Sequence, residues 1–143
     1  MSRYRTLALL PLLLAACGPV DGKDTAGTDD TASGGDDTYT AGNVAWEKTM
    51  SDFAEVSAAV GTVVTGTCPA ATPADFGSVW GTTVYTDDSS VCTAALHDGR
   101  ITLEGGAFTA EILAGQEAYL GSTANGVTSE DWDAWPRSFT FLP

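Results

Sequence analysis

The amino-acid sequence predicts an α+β domain in which one short central helix lies among several short, mostly antiparallel β-strands. Three observations favour this class. Residues 89–98 are almost all small or apolar, so a helix there must be buried on several sides. Segments rich in β-branched, aromatic or alternating apolar residues lie before and after it. Glycine-rich turns separate these segments, as is typical of short strands.

The central helix is predicted to span residues 89–98. Asp87 or Asp88 is the expected N-cap, because a short carboxylate can accept the free N–H groups of the first turn. Gly99 stands where a left-handed residue commonly ends a helix. A helix of ten residues is marginal on its own, so packing on all sides must stabilise it.

The strands are predicted at residues 61–67, 78–86, 107–113 and 138–142. The third is the clearest, because Phe108, Ala110 and Ile112 alternate with Thr109 and Glu111. Residues 115–126 are predicted to form a loop, and residues 129–132 a short helical turn. The apolar residues of segment 46–60 recur at helix-compatible intervals, although the segment is also compatible with an edge element.

Residues 1–16 have the features of an export signal. Arg3 and Arg5 precede an apolar run of about ten residues, which is shorter than the roughly 20 that span a bilayer, and two alanines follow it. Cys17 comes next, so residues 14–17 have the form of a bacterial lipobox. We therefore expect a lipoprotein whose Cys17 carries the membrane anchor; an ordinary secretory signal is the alternative.

Lipidation at Cys17 would hold the exported protein stably in the cell envelope. Several acyl chains are expected there, and each buried CH₂ contributes about 0.8 kcal/mol to membrane binding. Gly18 occupies the position where an Asp would favour retention at an inner membrane. This residue indicates the outer membrane as the destination.

Residues 17–42, which begin with Cys17, are predicted to be a disordered acidic tether, and residues 43–143 the folded domain. Aspartates in the tether alternate with Thr, Ala, Ser and Gly, without apolar periodicity. The Asp pairs also suggest a calcium site, but the EF-hand pattern with its terminal Glu is absent. A solvated spacer is therefore the preferred interpretation.

The charge excludes several classes of ligand. After residue 16 the chain has 19 acidic and four basic residues, a net charge of −15, so binding of nucleic acid through bulk electrostatics is not expected. Residues 43–143 contain thirteen acidic and three basic residues, a net charge of −10. Lipopolysaccharide phosphates would be repelled unless divalent cations bridge them or the contact is with neutral sugar.

Cys68 and Cys92 are the two cysteines that remain once Cys17 carries lipid. In an exported protein such a pair tends to form a disulfide. A metal site is the alternative, but the chain has a single histidine and no CxxC motif. We therefore expect a disulfide, and neither a metal nor another cofactor.

Residues 85–99 resemble the signature of the LCCL domain family, and the similarity extends over residues 61–141. The resemblance implies a central helix wrapped by two β-sheets, in agreement with the pattern above. Animal members commonly have four cysteines, and one of them corresponds here to a position near Thr72, so at most one bridge can form. The matching signature positions, expected to be structural, are Tyr85, Ser89, Ser90, Ala94, Ala95, His97 and Gly99.

The resemblance implies an extracellular module for which binding of lipopolysaccharide or other ligands has been proposed, and it supplies no catalytic residues. We therefore expect a non-catalytic recognition or adhesion module for a glycan, a glycolipid or a protein partner. An architectural lipoprotein that pairs with another envelope protein is the alternative. If their rings are exposed, the expected ligand-contact residues are Trp80, Tyr119, Trp132 and Trp135.

Two enzymatic interpretations are disfavoured. Ser89, His97 and Asp98 suggest a hydrolytic triad, but no GxSxG motif occurs, and both Ser89 and His97 fit structural positions at the helix ends. The acidic residues around Trp132 suggest a glycosidase pair, which must flank a cleft with its carboxyl groups about 5–9.5 Å apart. A domain of this size has little room for such a cleft, so no enzymatic activity is expected.

Overall fold

The computed structural model describes residues 37–143. The predicted signal peptide, the lipid-carrying Cys17 and residues 18–36 of the tether lie outside this range. Within the described range, none of the helices combines the length and the apolar character needed to cross a membrane.

A mixed sheet of six strands forms the body of the domain, with the order β1-β2-β5-β10-β4-β3. Strands β6 and β9 form a second sheet, and β7 and β8 a third. Among the described strands only β1 and β2 pair in parallel. The strands are β1 Thr38–Asn43, β2 Val63–Cys68, β3 Gly81–Thr82, β4 Val84–Thr86, β5 Gly106–Ala114, β6 Ala118–Tyr119, β7 Thr123–Ala124, β8 Val127–Thr128, β9 Trp132–Asp133 and β10 Arg137–Phe141.

The helical segments are short. Helix α1 spans Ala54–Ser57 and α2 spans Val91–His97, and single 3₁₀ turns lie at Met50–Asp52 and Pro73–Asp75. All seven residues of α2 are buried. The α+β class with a central buried helix and short, mostly antiparallel strands is confirmed, although the strands form one large and two small sheets.

The start of helix α2 differs from the prediction. Ser90, rather than Asp87 or Asp88, is the N-cap, and its Oγ accepts a hydrogen bond from the Thr93 N–H at 3.3 Å. Ser90 Oγ also donates to the Trp46 carbonyl at 2.6 Å, which suits a hydroxyl because it can donate and accept in a buried site. The predicted end is confirmed: helix α2 ends at His97 with Asp98 as its C-cap, and Gly99, the next residue, has φ +76°.

Strand β1 lies in the segment that was predicted to form the end of the tether. It pairs with β2 from Thr38 to Asn43, whereas the tether was predicted to continue to residue 42. Five of its six residues are exposed, so no apolar pattern marks it. Backbone hydrogen bonding to the edge of β2 orders this segment, and side-chain patterns do not report such pairing.

The prediction of a helical turn at residues 129–132 was wrong. Glu130 lies in extended pairing with residues 79–81: its N–H donates to the Val79 carbonyl at 2.9 Å and its carbonyl accepts from the Gly81 N–H at 3.0 Å. Trp132 begins β9, which pairs with β6 in the segment predicted as loop. Partners distant in the chain thus override the local preference for a turn.

Candidate functional site

His97 is the centre of a buried hydrogen-bond network at the end of α2. Its ring is 2% exposed, and its Nδ1 lies 2.9 Å from the Tyr85 hydroxyl. On the other side, Nε2 lies 3.2 Å from both the carbonyl and the hydroxyl oxygen of Ser122. The Asn125 side-chain amide donates to the His97 carbonyl at 3.0 Å. The network therefore fastens the segment containing β7 and β8 to the helix.

Tyr85 completes this network from strand β4. Burial raises the pKa of its hydroxyl, and the nearby charge of Asp98 raises it further. The hydroxyl also lies 3.4 Å from Asp98 Oδ1, and Asp98 pairs with Arg100 at 2.8 Å. Tyr85 therefore remains a neutral hydroxyl that serves as a structural hydrogen-bonding group.

Ser89 belongs to a different set of contacts. Its Oγ accepts from the Trp80 N–H at 3.0 Å and lies 3.0 Å from the Thr86 hydroxyl. Among the described residues, the hydrogen-bond partners of His97 do not include Ser89. The arrangement considered for a hydrolase, with Ser89 activated by His97, is therefore not assembled.

The remaining signature positions are structural as well. Ala94 and Ala95 are fully buried, so larger side chains there would have to displace the packed core. Cys68 and Cys92 form a disulfide between β2 and α2, which confirms the expected bridge. The signature residues thus hold the helix in place, and the exposed surface elsewhere must supply any ligand contacts.

Three tryptophans from different segments meet at the surface, and we call Trp80, Trp132 and Trp135 the tryptophan corner. The ring centroids of Trp80 and Trp132 are 5.6 Å apart, with an interplanar angle of 57°. Those of Trp132 and Trp135 are 6.3 Å apart, at 73°. Trp132 is 43% exposed, and the other two are half-buried. The three expected tryptophans are therefore brought together.

Tyr119, the fourth aromatic residue expected to contact a ligand, is only 2% exposed. It pairs with Trp132 across β6 and β9. Its hydroxyl accepts from the Gln116 N–H at 2.9 Å and donates to the Trp135 carbonyl at 3.4 Å. Tyr119 is therefore a buried residue that is hydrogen-bonded to the backbone of Trp135, and it does not face solvent.

The side chain of Asp87 holds Trp135 in position. Trp135 Nε1 donates to Asp87 Oδ1 at 2.6 Å. Burial raises the pKa of Asp87, the bond from Trp135 opposes this rise, and the charge of Asp88 adds to it. This role of Asp87 was not predicted from the sequence, because Asp87 and Trp135 are far apart in the chain and no local pattern connects them.

Exposed carboxylates flank Trp132 in the chain. Glu130, Asp131 and Asp133 are all exposed, and Asp131 Oδ1 accepts from the Gly121 N–H at 2.7 Å. A shallow depression of ≈ 370 Å³ lies beside Trp135, lined by Gly115, Gln116, Glu117, Ala134, Trp135 and Pro136. Across residues 37–143, no three His, Cys, Asp or Glu side chains are grouped so that they could hold a metal ion. The corner is thus an aromatic surface with an acidic border.

Comparison with known proteins identifies a single shared module. A family model described as LCCL domain matches residues 44–139. Clotting factor C of Tachypleus tridentatus is 42% identical over 74 residues, cochlin of Cavia porcellus 42% over 73, and vitrin of Homo sapiens 43% over 75. These alignments cover 52%, 51% and 52% of this chain, but only 7%, 13% and 11% of the relatives. The chain therefore spans about a tenth of the length of these relatives.

Proposed function

This chain belongs to the LCCL domain family, and from that membership we propose that it is a non-catalytic recognition module that contacts its ligand through the tryptophan corner. The observation that carries the proposal is the grouping of Trp80, Trp132 and Trp135 at the surface, with Trp132 43% exposed. Tryptophan supplies a large apolar contact area and is enriched at recognition surfaces. An exposed group of such rings, bordered by polar side chains, has the composition of a binding site.

The proposed module is exported and held in the cell envelope, at the outer membrane, by the lipid on Cys17. The disulfide between Cys68 and Cys92 supports export, because such bonds persist in oxidising compartments.

Burial of the polar signature residues supports a role without catalysis. His97 is 2% exposed, and its contacts join secondary-structure elements rather than face solvent. A general base must come within hydrogen-bond reach of its substrate. The buried ring of His97 therefore suits a structural role.

An architectural lipoprotein that pairs with another envelope protein is the alternative. Such pairing requires a broad, contiguous apolar surface. Within residues 37–143, the exposed large apolar side chains are Tyr39, Val60, Leu103, Leu120 and Trp132. Of these, Trp132 packs against two further tryptophans, which favours the tryptophan corner as the contact surface.

Tryptophan fluorescence tests the proposal directly. The full chain, purified after export so that the disulfide forms, would be titrated with neutral glycans, lipopolysaccharide, peptidoglycan and basic peptides, with Ca²⁺ and then with chelator. Saturable binding to one class is expected, and Trp132→Ala should weaken it at least about tenfold. Leu103→Ala is the matched control, because Leu103 has the same exposed fraction of 43%. Binding that both variants retain would contradict the proposed surface.

A further inference from the structure

The ring geometry of the tryptophan corner suits one compact group better than an extended, flat ligand. The planes of neighbouring rings meet at 57° and 73°, so the three rings form no common plane along which successive sugars could stack. Rings at these angles, with centroids 5.6 and 6.3 Å apart, pack against one another, so the exposed part of Trp132 is the aromatic surface that a ligand can reach. One exposed indole face accommodates a single ammonium or guanidinium group.

The hydrogen bonding of Trp135 points in the same direction. Its indole N–H already donates to Asp87 at 2.6 Å, so it has no donor left for a sugar hydroxyl or a phosphate. Its remaining contribution to a ligand is the π face. A π face attracts cations through the ring quadrupole, and tryptophan does so most strongly.

The charges around the corner also select a cation. Glu130, Asp131 and Asp133 flank Trp132 in the chain and are exposed, and residues 43–143 carry a net charge of −10. Burial raises the pKa of Asp87, and Arg137, which is half-buried on β10, opposes this rise only in part. The border of the corner is therefore acidic, and it repels the phosphates of an anionic ligand.

We propose that the tryptophan corner binds the ammonium or guanidinium group of a Lys or Arg side chain on a basic protein partner. This inference rests on the proposed function and narrows it to one class of ligand. Cation–π contact with the rings supplies attraction at short range, and the three carboxylates attract basic segments from a distance. The exposed Trp132 ring, the occupied Trp135 indole N–H and the exposed acidic residues beside Trp132 in the chain each favour this ligand.

The test uses an eight-residue oligolysine peptide and the same peptide acetylated on every side-chain nitrogen, since acetylation removes the charge and keeps the stem. Binding to the full chain would be measured by calorimetry and tryptophan fluorescence. The charged peptide should bind at least about tenfold more tightly than the acetylated one, and Trp132→Ala should remove about tenfold of that affinity. Leu103→Ala should leave it unchanged.

Charge variants separate the corner from the overall acidity of the domain. Glu130→Gln with Asp133→Asn removes two charges beside Trp132, and Glu47→Gln with Glu104→Gln removes two exposed charges elsewhere. The first pair should weaken peptide binding by about fivefold or more, and the second by less than about twofold. Equal losses in the two variants would show attraction to the general charge and would overturn the inference.

The remaining outcomes distinguish the inference from the proposed function. If a neutral glycan binds, Trp132→Ala abolishes that binding and the oligolysine peptide fails to bind, the recognition surface stands and the cationic ligand is refuted. If the acetylated peptide binds as tightly as the charged one, the cationic ligand is likewise refuted. If none of the probes binds, or if a probe binds the Trp132→Ala variant as tightly as the wild-type chain, the proposed function fails together with the inference.

Discussion

Helix α2 and the tryptophan corner use aromatic and polar side chains in opposite ways. Around α2 these side chains are buried and hydrogen-bonded: Tyr85 to the His97 ring, and Ser90 to the backbone carbonyl of Trp46. At the corner, Trp132 is 43% exposed and its neighbouring carboxylates face solvent. Paired buried polar groups stabilise a unique packing, whereas unpaired exposed ones are available to a ligand. In this domain the family signature holds the fold, and the proposed binding surface lies mostly outside it.

The two regions meet just before α2. Ser89 Oγ accepts from the Trp80 N–H, and the Asp87 carboxylate accepts from Trp135 Nε1. Two of the three corner tryptophans are therefore positioned by residues at the start of the central helix. A rigid core element thus holds surface rings in a defined arrangement, which lowers the entropy lost on binding.

The largest change in stability is expected when the disulfide, a covalent support of the buried region, is removed. Replacing Cys68 and Cys92 by Ala should lower the free energy of unfolding by about 3–4 kcal/mol, because the bridge closes a loop with a sequence separation of 24. Urea denaturation followed by tryptophan fluorescence measures the change. A loss below about 1 kcal/mol would show that the helix is held by packing alone.

The next largest change in stability is expected when one hydrogen bond of the network around His97 is removed. Tyr85→Phe should lower the free energy of unfolding by about 1–3 kcal/mol, because it leaves His97 Nδ1 buried without its partner at 2.9 Å. Tyr39→Phe is the control; Tyr39 is 40% exposed, so its change should stay within about 0.5 kcal/mol. Equal effects of the two substitutions would refute a structural network.

The corner should respond in the opposite sense. Trp132→Ala should change the free energy of unfolding by about 1 kcal/mol or less, since the ring is 43% exposed and loses its two contacts with neighbouring indoles. Ligand binding should nevertheless weaken strongly, as described above. A stability loss above about 3 kcal/mol would place Trp132 in the core and remove the contrast between the regions.

The smallest effect concerns pH. Burial raises the pKa of Asp87 above its ordinary value of 3.8, so the folded state favours the protonated carboxyl. The stability that this carboxyl contributes is therefore present below pH 3.8 and is lost as pH rises through its pKa in the folded state. The stability of the wild-type chain relative to Asp87→Asn should therefore fall as pH rises from about 3 to about 7, measured by urea denaturation. The Asn side chain retains an oxygen that can accept from Trp135.

Asp75 supplies a control of opposite sign. Hydrogen bonds from the Thr72 backbone and hydroxyl lower the pKa of Asp75, so its contribution is present above 3.8 and is lost as pH falls through the folded value. The wild-type stability relative to Asp75→Asn should rise with pH over the same range. Parallel trends for the two variants would show that Asp87 is not destabilised by burial.

Several features followed from the sequence because they depend on local constraints or on very few alternatives. Gly99 ends the helix because a left-handed conformation is required there, at φ +76°. Cys68 and Cys92 pair because no other cysteine lies in the predicted domain. The strand of alternating Phe108, Ala110 and Ile112 was confirmed as part of β5, because its side-chain period of two matches burial on one face.

Only the tertiary structure decided the remaining features, because they depend on partners that are distant in the chain. Strand β1 is ordered by backbone bonds to β2, and Ser90, which caps α2, also donates to the distant Trp46 carbonyl. Packing buries Tyr119 and exposes Trp132, although the two residues face each other across one strand pair. Composition specifies how much apolar and charged surface a chain has, whereas long-range packing decides which rings and carboxylates meet at the surface.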